Sequence, residues 1–442
     1  MNSWVVSRLE NSQGMSRYAK SEEQLKRAEQ TIPIGSQTFS KSRTQYPVGI
    51  SPLYAARAKG ANIWDLDGNK YIDLVSSLAS ITLGYGDTEV ERAVKKQLRL
   101  GVSLSLPARL ESEVAELIVE MVPSAEMVRF GKNGSDATSA AVRLARAFTG
   151  RDHIIVCGYH GWQDWYIGST TRNKGVPESV SSLTHKFEFN NIESLKAVLD
   201  FLEGQVAAVI MEPMNAAYPA PGFLEGVLAL THQAGALLIF DETITGFRYA
   251  KGGAQELFGI TPDLSTFGKG LANGFPLSAV AGRREVMMEM QEIFFSGTFG
   301  GELLSLAAAK TVLQRQLRED VCGALSFNGQ DLSDKTERSI AENGLEGILK
   351  ISGHPSWRFL NWTATEKYTV DEIKTFFMQE VFKRGLLVLS THNITLAHTP
   401  KINNKVHNIY NEVFTQLNRA LTNDLLRNEL KVEPLKPLFK VR

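Results

Sequence analysis

One lysine, Lys269, stands where a strand-like run of the sequence ends in glycine and a loop with two more glycines follows. Glycine lets the backbone approach a ligand closely and adopt positive φ, so such a turn can carry a side chain into a cleft. A lysine that is desolvated there loses its proton more readily and becomes a nucleophile toward a carbonyl. A surface lysine in a flexible loop would have the same local sequence, and this segment alone leaves both interpretations open.

Two common glycine–lysine motifs are excluded around this lysine by single residues. A P-loop needs glycine five residues before Gly268, where the chain has Asp263. A dinucleotide-binding fingerprint that used Gly268 and Gly270 needs glycine at position 273, where the chain has Asn273. The segment is therefore neither a P-loop nor a GxGxxG turn.

Two carboxylates, Glu212 and Asp241, each follow an apolar run that is typical of a strand buried on both faces. Ligands of open α/β sheets bind outside the carboxyl ends of such strands. A carboxylate buried there is costly unless a cation accompanies it, so Asp241 requires a positive partner. A protonated pyridine nitrogen would supply that charge.

Two further turns follow predicted strands that are consecutive in the chain. Gly134 and Ser135 stand where a strand ends and a helix begins, and free N–H groups with partial positive charge make a helix start a good phosphate site. Simple helix capping would use the same residue types. Tyr159, followed by His160, comes after the next strand, where its ring could stack on a planar ligand or belong to the core.

Together these residues describe four parts of one site: a phosphate cradle, an aromatic face, an acid for a ring nitrogen and an amine for an aldehyde. Pyridoxal 5′-phosphate requires a Schiff-base lysine and an acidic partner at its pyridinium nitrogen. The sequence therefore predicts this cofactor, and we expect no metal.

The elements that would position these residues form an alternating pattern from about residue 127. Short apolar runs alternate with helical ones, which predicts a parallel sheet wrapped by helices. A helix is predicted over Ser135–Phe148. The predicted strands are Met127–Phe130, His153–Val156, Val206–Met211 and Gly235–Phe240.

The flanking regions have other patterns. A hairpin over Gly60–Asp73 is predicted by its Asp-Gly-Asn turn, and helices are predicted over Val90–Leu100 and Arg109–Met121. The C-terminal third mixes strands and helices, as in a smaller α+β domain. We expect an α/β protein with an N-terminal segment (1–75), a large cofactor-binding domain (76–305) and a small C-terminal domain (306–442).

Composition limits the classes of partner. The chain has 442 residues with 48 basic and 48 acidic side chains, and zero net charge argues against bulk binding to nucleic acid or acidic membranes. No apolar run reaches membrane-spanning length, and Met1–Arg8 lacks the apolar core of a signal peptide. Cys157 and Cys322 are too few for a disulfide framework or a structural zinc site. We expect a cytoplasmic protein whose partners are small molecules.

The chain resembles the class III (fold type I) aminotransferases from about residue 32 to about 399, and among them most of all the glutamate-1-semialdehyde aminomutases. The resemblance implies a large domain with a mainly parallel, seven-stranded type of sheet, a smaller α+β domain, and a homodimer with cofactor sites at the subunit interface. The matching motifs, in order, are Asn133–Ala137, Tyr159–Gly161, Glu212–Pro213, Asp241–Arg248, Gly268–Lys269, Gly274–Pro276 and Gly297–Thr298.

The resemblance also implies a role for each matching residue. Lys269 would form the Schiff base, Asp241 would bind the pyridine nitrogen, and Glu212 would lie near the Schiff base. The remaining cofactor contacts would come from Gly134 and Ser135 at the phosphate, Tyr159 and Thr243 on the two ring faces, and Thr298 at the phosphate of the neighbouring subunit.

The departures from the aminomutases concern the substrate. Their Ser-Pro-Val-Arg stretch is replaced here by Ser36–Phe39, and Ser390–Thr399 lacks the acidic residue that they have before Ala-His-Thr. A lost carboxylate clamp and added hydroxyl, amide and imidazole groups suit a polyhydroxylated substrate better than a short amino acid. The candidate substrate-facing residues are Ser36, Gln37, His160, His392 and Asn393.

The expected function is an aminotransferase that moves an amino group from a donor, glutamate by family default, to an aldehyde or ketone, with an oxidised sugar favoured. The alternative is an intramolecular glutamate-1-semialdehyde 2,1-aminomutase, against which the missing arginine counts. A non-catalytic binding protein with the same fold is disfavoured because both Lys269 and Asp241 are present. The segment Thr170–Val180, with Gly175 and Pro177, is a plausible lid.

Overall fold

The computed structural model describes residues 16–436. The prediction made on Met1–Arg8 lies outside this range, as do the ends of the predicted N-terminal segment and C-terminal domain. Within the described chain, none of the helices combines the length and the apolar character that crossing a membrane requires.

The N-terminal region forms the predicted hairpin. Strands β2 and β3 are antiparallel, with Ile63 opposite Tyr71, and the carboxylate of Asp65 accepts hydrogen bonds from Asn69 across the turn. The elements are α1 (Ala19–Ala28), β1 (Ala55–Lys59), β2 (Asn62–Asp65), β3 (Lys70–Asp73), α2 (Ser76–Ala79), α3 (Thr88–Leu98) and α4 (Arg109–Met121). The predicted helices thus form, and α3 begins two residues early because Asp87 caps the N–H groups of Glu89 and Val90.

The central region is the predicted helix-wrapped sheet. Its elements are β4 (Met127–Gly131), α5 (Gly134–Thr149), β5 (His153–Cys157), α6 (Asp164–Ile167), α7 (Glu178–Ser181), β6 (Thr184–Lys186), α8 (Ile192–Phe201), β7 (Val206–Met211), α9 (Phe223–Gln233), β8 (Leu237–Asp241), α10 (Ala254–Phe258), β9 (Leu264–Phe267), β10 (Ser278–Gly282) and α11 (Arg284–Met287). The seven strands lie in the order β4-β10-β9-β8-β7-β5-β6. Only β10 runs antiparallel to its neighbours, so the sheet is mainly parallel, as predicted.

Successive residues of the central strands point to opposite faces of the sheet and belong to two separate hydrophobic cores. On one face Ile210 and Ile239 pack in the cluster that contains the alanine-rich side of α5. On the other face Val209 and Leu238 pack with the leucines of α8 and α9. Strands β7 and β8 are buried at every residue, which explains why their sequences are apolar except for Asp241 at the end of β8.

The C-terminal third forms an α+β region. Its elements are α12 (Leu303–Arg318), α13 (Val321–Glu342), β11 (Leu349–His354), β12 (Trp357–Trp362), α14 (Val370–Lys383), β13 (Leu386–Leu387), β14 (Thr391–Asn393), α15 (Pro400–Thr422) and α16 (Leu426–Glu429). Strands β11, β12 and β14 form an antiparallel sheet. Strand β13 instead pairs in parallel with β3, so the N-terminal and C-terminal regions share the sheet β1-β2-β3-β13.

Candidate active site

The residues singled out by sequence lie at one edge of the central sheet. Because parallel strands end at the same edge, the turns after β5, β7, β8 and β9 meet there. Tyr159, Glu212 and Lys269 lie in these turns, and Asp241 is the last residue of β8.

Asp241 is a buried carboxylate held by four hydrogen bonds. One oxygen contacts His160 Nδ1 at 2.8 Å. The other accepts from the Thr243 N–H (3.1 Å), the Thr243 hydroxyl (2.6 Å) and the Thr266 hydroxyl (3.0 Å). Burial alone would raise the pKa of Asp241, but His160 and Thr243 hold it below its ordinary value. The group is therefore an ionised acid in the interior, suited to a protonated ring nitrogen.

His160 lies behind this carboxylate. Its ring is buried and stacks on Trp165 with 6.4 Å between centroids. Among the described residues no partner is present for its Nε2. His160 is predicted from the sequence as a candidate substrate contact, and the structure places it against Asp241.

Lys269 opens a short 3-10 turn, Lys269–Ala272, directly after β9 and Gly268. It has a φ of +41°, in the left-handed region that disfavours residues with a side chain. Three residues earlier, Thr266 on β9 donates to Asp241. Strand β9 therefore both leads into the turn of Lys269 and contacts Asp241 through Thr266.

The start of α5 lies close to Thr243 and to Gly268, which precedes Lys269. A Cβ atom built on Gly134 would lie 3.0 Å from the Thr243 methyl group, and one on Gly268 would lie 3.3 Å from the same methyl group. A larger residue at position 134 would therefore fill the space between the helix start and β8.

The first turn of α5 has the features of an anion site. The carboxylate of Asp136 accepts from the N–H groups of Lys132 (2.9 Å) and Asn133 (2.7 Å). The N–H groups of the helix's own first residues, Gly134 and Ser135, have no partner within the helix because of their position. Together with Asp241 and Lys269, these residues have the chemistry that pyridoxal phosphate requires: a donor set for the phosphate, an acid for the ring nitrogen and an amine for the aldehyde.

Glu212 and Tyr159 are joined across the ends of β7 and β5. The carboxylate of Glu212 accepts from the Tyr159 N–H at 3.1 Å and from Asn215 Nδ2 at 3.4 Å. The ring of Tyr159 packs edge-on against Tyr166, with 5.6 Å between centroids. A Cβ on Gly158, which has a φ of +110°, would lie 2.6 Å from the Glu212 carboxylate.

Thr298 lies beside the face of α5 that carries Asp136 and Arg143. It is exposed, in a loop that lines a cavity of about 380 Å³ together with Lys132, Asp136, Arg143 and Phe294. Within one chain, the structure does not bring Thr298 to Lys269.

The candidate substrate residues fall into two groups. Ser36 and Gln37 line a cavity of about 500 Å³ whose wall also includes Ser77 of α2. His392 is buried and its Nε2 lies 2.7 Å from the Tyr410 hydroxyl. Asn393 is buried and donates to the Val75 carbonyl at 2.7 Å.

Two residues near the site received no role from sequence. Thr266 pairs with Asp241 across β9 and β8, a contact that depends on the order of strands in the sheet. Arg248 is fully buried and donates to main-chain carbonyls. A charged residue directly after the buried Phe247 is the one local signal that could have drawn attention to it.

The comparisons with known proteins agree with this geometry. The family model described as "Aminotransferase class-III" matches residues 45–421. The chain is 39% identical to a glutamate-1-semialdehyde 2,1-aminomutase of Syntrophobacter fumaroxidans, over 78% of this chain and 86% of that protein. It is 32% identical to a 3-aminobutyryl-CoA aminotransferase of Cloacimonas acidaminovorans, over 86% of this chain and 93% of that protein.

A solved structure is also similar. The internal aldimine form of the Sphingopyxis sp. MTA144 FumI protein, which contains pyridoxal phosphate, superposes with a TM-score of 0.85 at 29% identity. The match covers 94% of this chain and 98% of that one.

Proposed function

The chain belongs to the class III aminotransferases, which use pyridoxal 5′-phosphate, and we propose that it transfers an amino group from a donor such as L-glutamate to an external aldehyde or ketone. The observation that carries the proposal is the proximity of an ionised, buried Asp241 to the turn that bears Lys269. A carboxylate that stays ionised in the interior can stabilise the positive charge of a protonated cofactor.

The proposed roles follow from each group's chemistry. Bound pyridoxal phosphate supplies a ring that withdraws electrons from the substrate's reacting carbon. Asp241 would hold a proton on the ring nitrogen, and the Lys269 amine would bind the aldehyde and carry a proton between donor and cofactor. The surrounding contacts would come from Gly134 and Ser135 at the phosphate, from Thr243 and Tyr159 at the ring, and from Glu212 beside the amine.

The acceptor class is proposed from the cavity of about 500 Å³ that Ser36 and Gln37 line. Ser77 belongs both to its wall and to α2, and α2 contacts the turn of Lys269, since the Ala79 carbonyl lies 3.7 Å from a Cβ built on Gly270. The wall combines tyrosine rings and aliphatic side chains with hydroxyl, amide, carboxylate and cationic groups. A ring-shaped polyol has apolar C–H faces and polar edges, so an oxidised sugar suits this lining.

An intramolecular aminomutase is the second candidate. The 39% identity to a glutamate-1-semialdehyde 2,1-aminomutase favours it. Such an enzyme needs no external donor, whereas a transaminase does.

One experiment separates the two candidates. The purified protein would be incubated with glutamate-1-semialdehyde alone, and separately with L-glutamate and a panel of keto and aldehyde sugars, with amine products measured by mass spectrometry. The proposal predicts amino sugars that carry label from ¹⁵N-glutamate and little 5-aminolevulinate. Efficient formation of 5-aminolevulinate without a donor, and no labelled amino sugar, would establish the aminomutase instead.

We include a homodimer in the proposal, with Thr298 reaching the phosphate of the partner subunit. The loop around Thr298 exposes two phenylalanines, Phe294 (80% exposed) and Phe299 (59% exposed). Neighbouring apolar side chains that stay exposed on one chain are typical of an interface.

The dimer is tested by placing a charge in this loop. Phe294→Asp should shift sedimentation from dimer to monomer, because a carboxylate buried in an apolar interface has no partner. Phe201→Asp is the matched control, since Phe201 is 79% exposed but lies on α8. A monomeric wild type, or equal effects of the two substitutions, would contradict the proposal.

The cytoplasm is the proposed location. Cys157 and Cys322 are free thiols, and burial raises the pKa of each to about 12, so both stay protonated and unreactive. Fractionation of the source cells tests this location, and recovery in a secreted fraction would contradict it.

A further inference from the structure

Arg248 lies in the loop after β8 and has one of the largest fully buried side chains in the described chain. Burial lowers its pKa to about 10, which still leaves it charged at neutral pH. No carboxylate of the described residues lies within ion-pair distance of its guanidinium. A buried cation without an anion is costly, so its hydrogen bonds must compensate for the lost water.

Four main-chain carbonyls from three segments take the place of water around Arg248. Its Nη1 donates to Ser356 (3.1 Å) and Ile394 (2.8 Å), both in the C-terminal α+β region. Its Nη2 donates to Ala79 (3.4 Å) and Ile81 (3.3 Å), at the end of α2. One planar group therefore ties the C-terminal region to α2.

The α2 turn has an unusual backbone. All four of its residues have positive φ, from +46° at Ser76 to +66° at Ala79. A left-handed turn without glycine costs free energy at each residue, so contacts from outside must hold it.

The chain directly after α2 packs on the turn of Lys269. The Thr82 hydroxyl donates to the Gly270 carbonyl at 3.3 Å. The Asn273 side chain accepts from the N–H groups of Thr82 (2.9 Å) and Leu83 (2.8 Å). Lys269 itself has positive φ, so its conformation also depends on these neighbours.

We propose that Arg248 is a positioning residue: by holding α2 against the turn of Lys269, it fixes the direction of the Lys269 amine for proton transfer. The inference rests on the proposed aminotransferase function and names a residue that acts without touching cofactor or substrate. Arginine suits this role because its rigid fork donates in two directions at once, whereas lysine has one compact ammonium group.

The test compares Arg248→Lys with Arg151→Lys. Arg151 is a matched control because its Nη1 also donates to main-chain carbonyls, those of Val206 (3.1 Å), Ala234 (2.8 Å) and Gly235 (3.0 Å). These carbonyls lie at the amino ends of β7 and β8, across the sheet from Lys269. Both substitutions keep a positive charge and remove the planar fork.

Two readouts report on positioning. In cofactor-free protein, Arg248→Lys should speed hydrogen exchange at the Thr82 and Leu83 amides about tenfold, because α2 loosens. In loaded protein, it should lower kcat of the glutamate half-reaction about 10- to 100-fold while KM changes by less than about threefold. It should also shift the pH titration of the bound cofactor's visible band, and Arg151→Lys should lower the melting temperature without these changes.

Thr82→Val is a second variant in case Arg248→Lys does not fold. It keeps the side-chain shape, removes the hydrogen bond to Gly270 and should lower kcat by about fivefold with the same exchange signature. The proposal is overturned if either folded variant leaves exchange over residues 76–84 and kcat at wild-type values. If the wild type itself ignores amino donors, the proposed function fails, while the exchange comparison still decides whether Arg248 holds α2.

Discussion

Asp241 keeps a negative charge where burial alone would favour the protonated acid. Its charge is maintained by His160 on one oxygen and by Thr243 and Thr266 on the other. All three partners are bound before any ligand arrives, so the acid needs no rearrangement to stabilise a developing cation.

Replacing Asp241 with asparagine removes this charge at nearly constant shape. Asp241→Asn should slow the glutamate half-reaction about 100-fold or more, measured by stopped-flow absorbance, because the ring nitrogen loses its anionic partner. Asp263→Asn is the control: Asp263 is also a buried acid paired with a histidine, His232, but it precedes β9 at the opposite edge of the sheet. Equal rates for wild type and Asp241→Asn would refute the assigned role.

Lys269 and Asp241 could be singled out from the sequence as candidate site residues because of their residue types and their local surroundings. A lysine between glycines and an acid after a wholly apolar strand are unusual at any position, and each signal is local. The partners of Asp241 could not be predicted in the same way. Thr266 reaches it only because β9 lies beside β8, and strand order is not encoded within either strand.

The turn between β4 and α5 places the first residues of α5 at the candidate site. Gly134 makes this approach possible, since a Cβ there would lie 3.0 Å from the Thr243 methyl group. Local pattern predicted this unit, with α5 extending one residue beyond the predicted helix at each end.

Gly134→Ala should therefore weaken cofactor binding about tenfold or more, because the added methyl group separates the helix start from β8. Equilibrium titration of the apoprotein with pyridoxal phosphate measures this affinity. Gly226→Ala is the control, since it adds the same methyl group within α9, where it meets only the flexible Ile192 side chain at 3.2 Å. Unchanged affinity in Gly134→Ala would show that the cofactor does not use this helix start.

The left-handed α2 turn marks the limit of prediction from local sequence. Ser76–Ala79 contains no glycine, so its sequence does not predict four residues with positive φ. The start of the turn is held by the nearby Asp73 carboxylate, which accepts from the Ser76 N–H, and its end by Arg248, which lies far away in the chain. The tertiary contacts override the local preference here, next to the proposed site.

At the scale of the whole molecule, three histidines are buried in the C-terminal region. Burial lowers the pKa of His354 and His398 to about 4 and that of His392 to about 3, and Arg248 or Arg358 nearby adds to the shift. The Nδ1 of His398 accepts from the Thr395 N–H at 3.0 Å, and its Nε2 lies 3.0 Å from the Asp73 carbonyl oxygen.

These histidines predict acid lability. Each folded pKa lies below the unfolded value of about 6.5, so the stabilisation is present above pH 6.5 and is lost as pH falls toward 4. Urea denaturation at pH 7.0 and 5.5 should show a loss of about 1 kcal/mol per histidine per pH unit. His392→Gln should flatten this dependence by about a third. Equal stability of the wild type at both pH values would contradict the prediction.

The N-terminal and C-terminal regions of the chain share one sheet. Strand β13 joins β3, so residues far apart in sequence complete one sheet beside the cavity lined by Ser36 and Gln37. Sequence pattern predicted the α+β character of the C-terminal third, but a two-residue strand that pairs across the chain leaves no periodic signal.

We propose that Lys269 and Asp241 perform transamination with an external donor. The most direct test records the absorbance of the protein loaded with pyridoxal phosphate before and after L-glutamate, without acceptor, and measures 2-oxoglutarate. We predict loss of the yellow band and about one 2-oxoglutarate per site, with no reaction in Lys269→Ala. A band that persists with every amino donor tried, or a Lys269→Ala variant that reacts at the normal rate, would contradict the account.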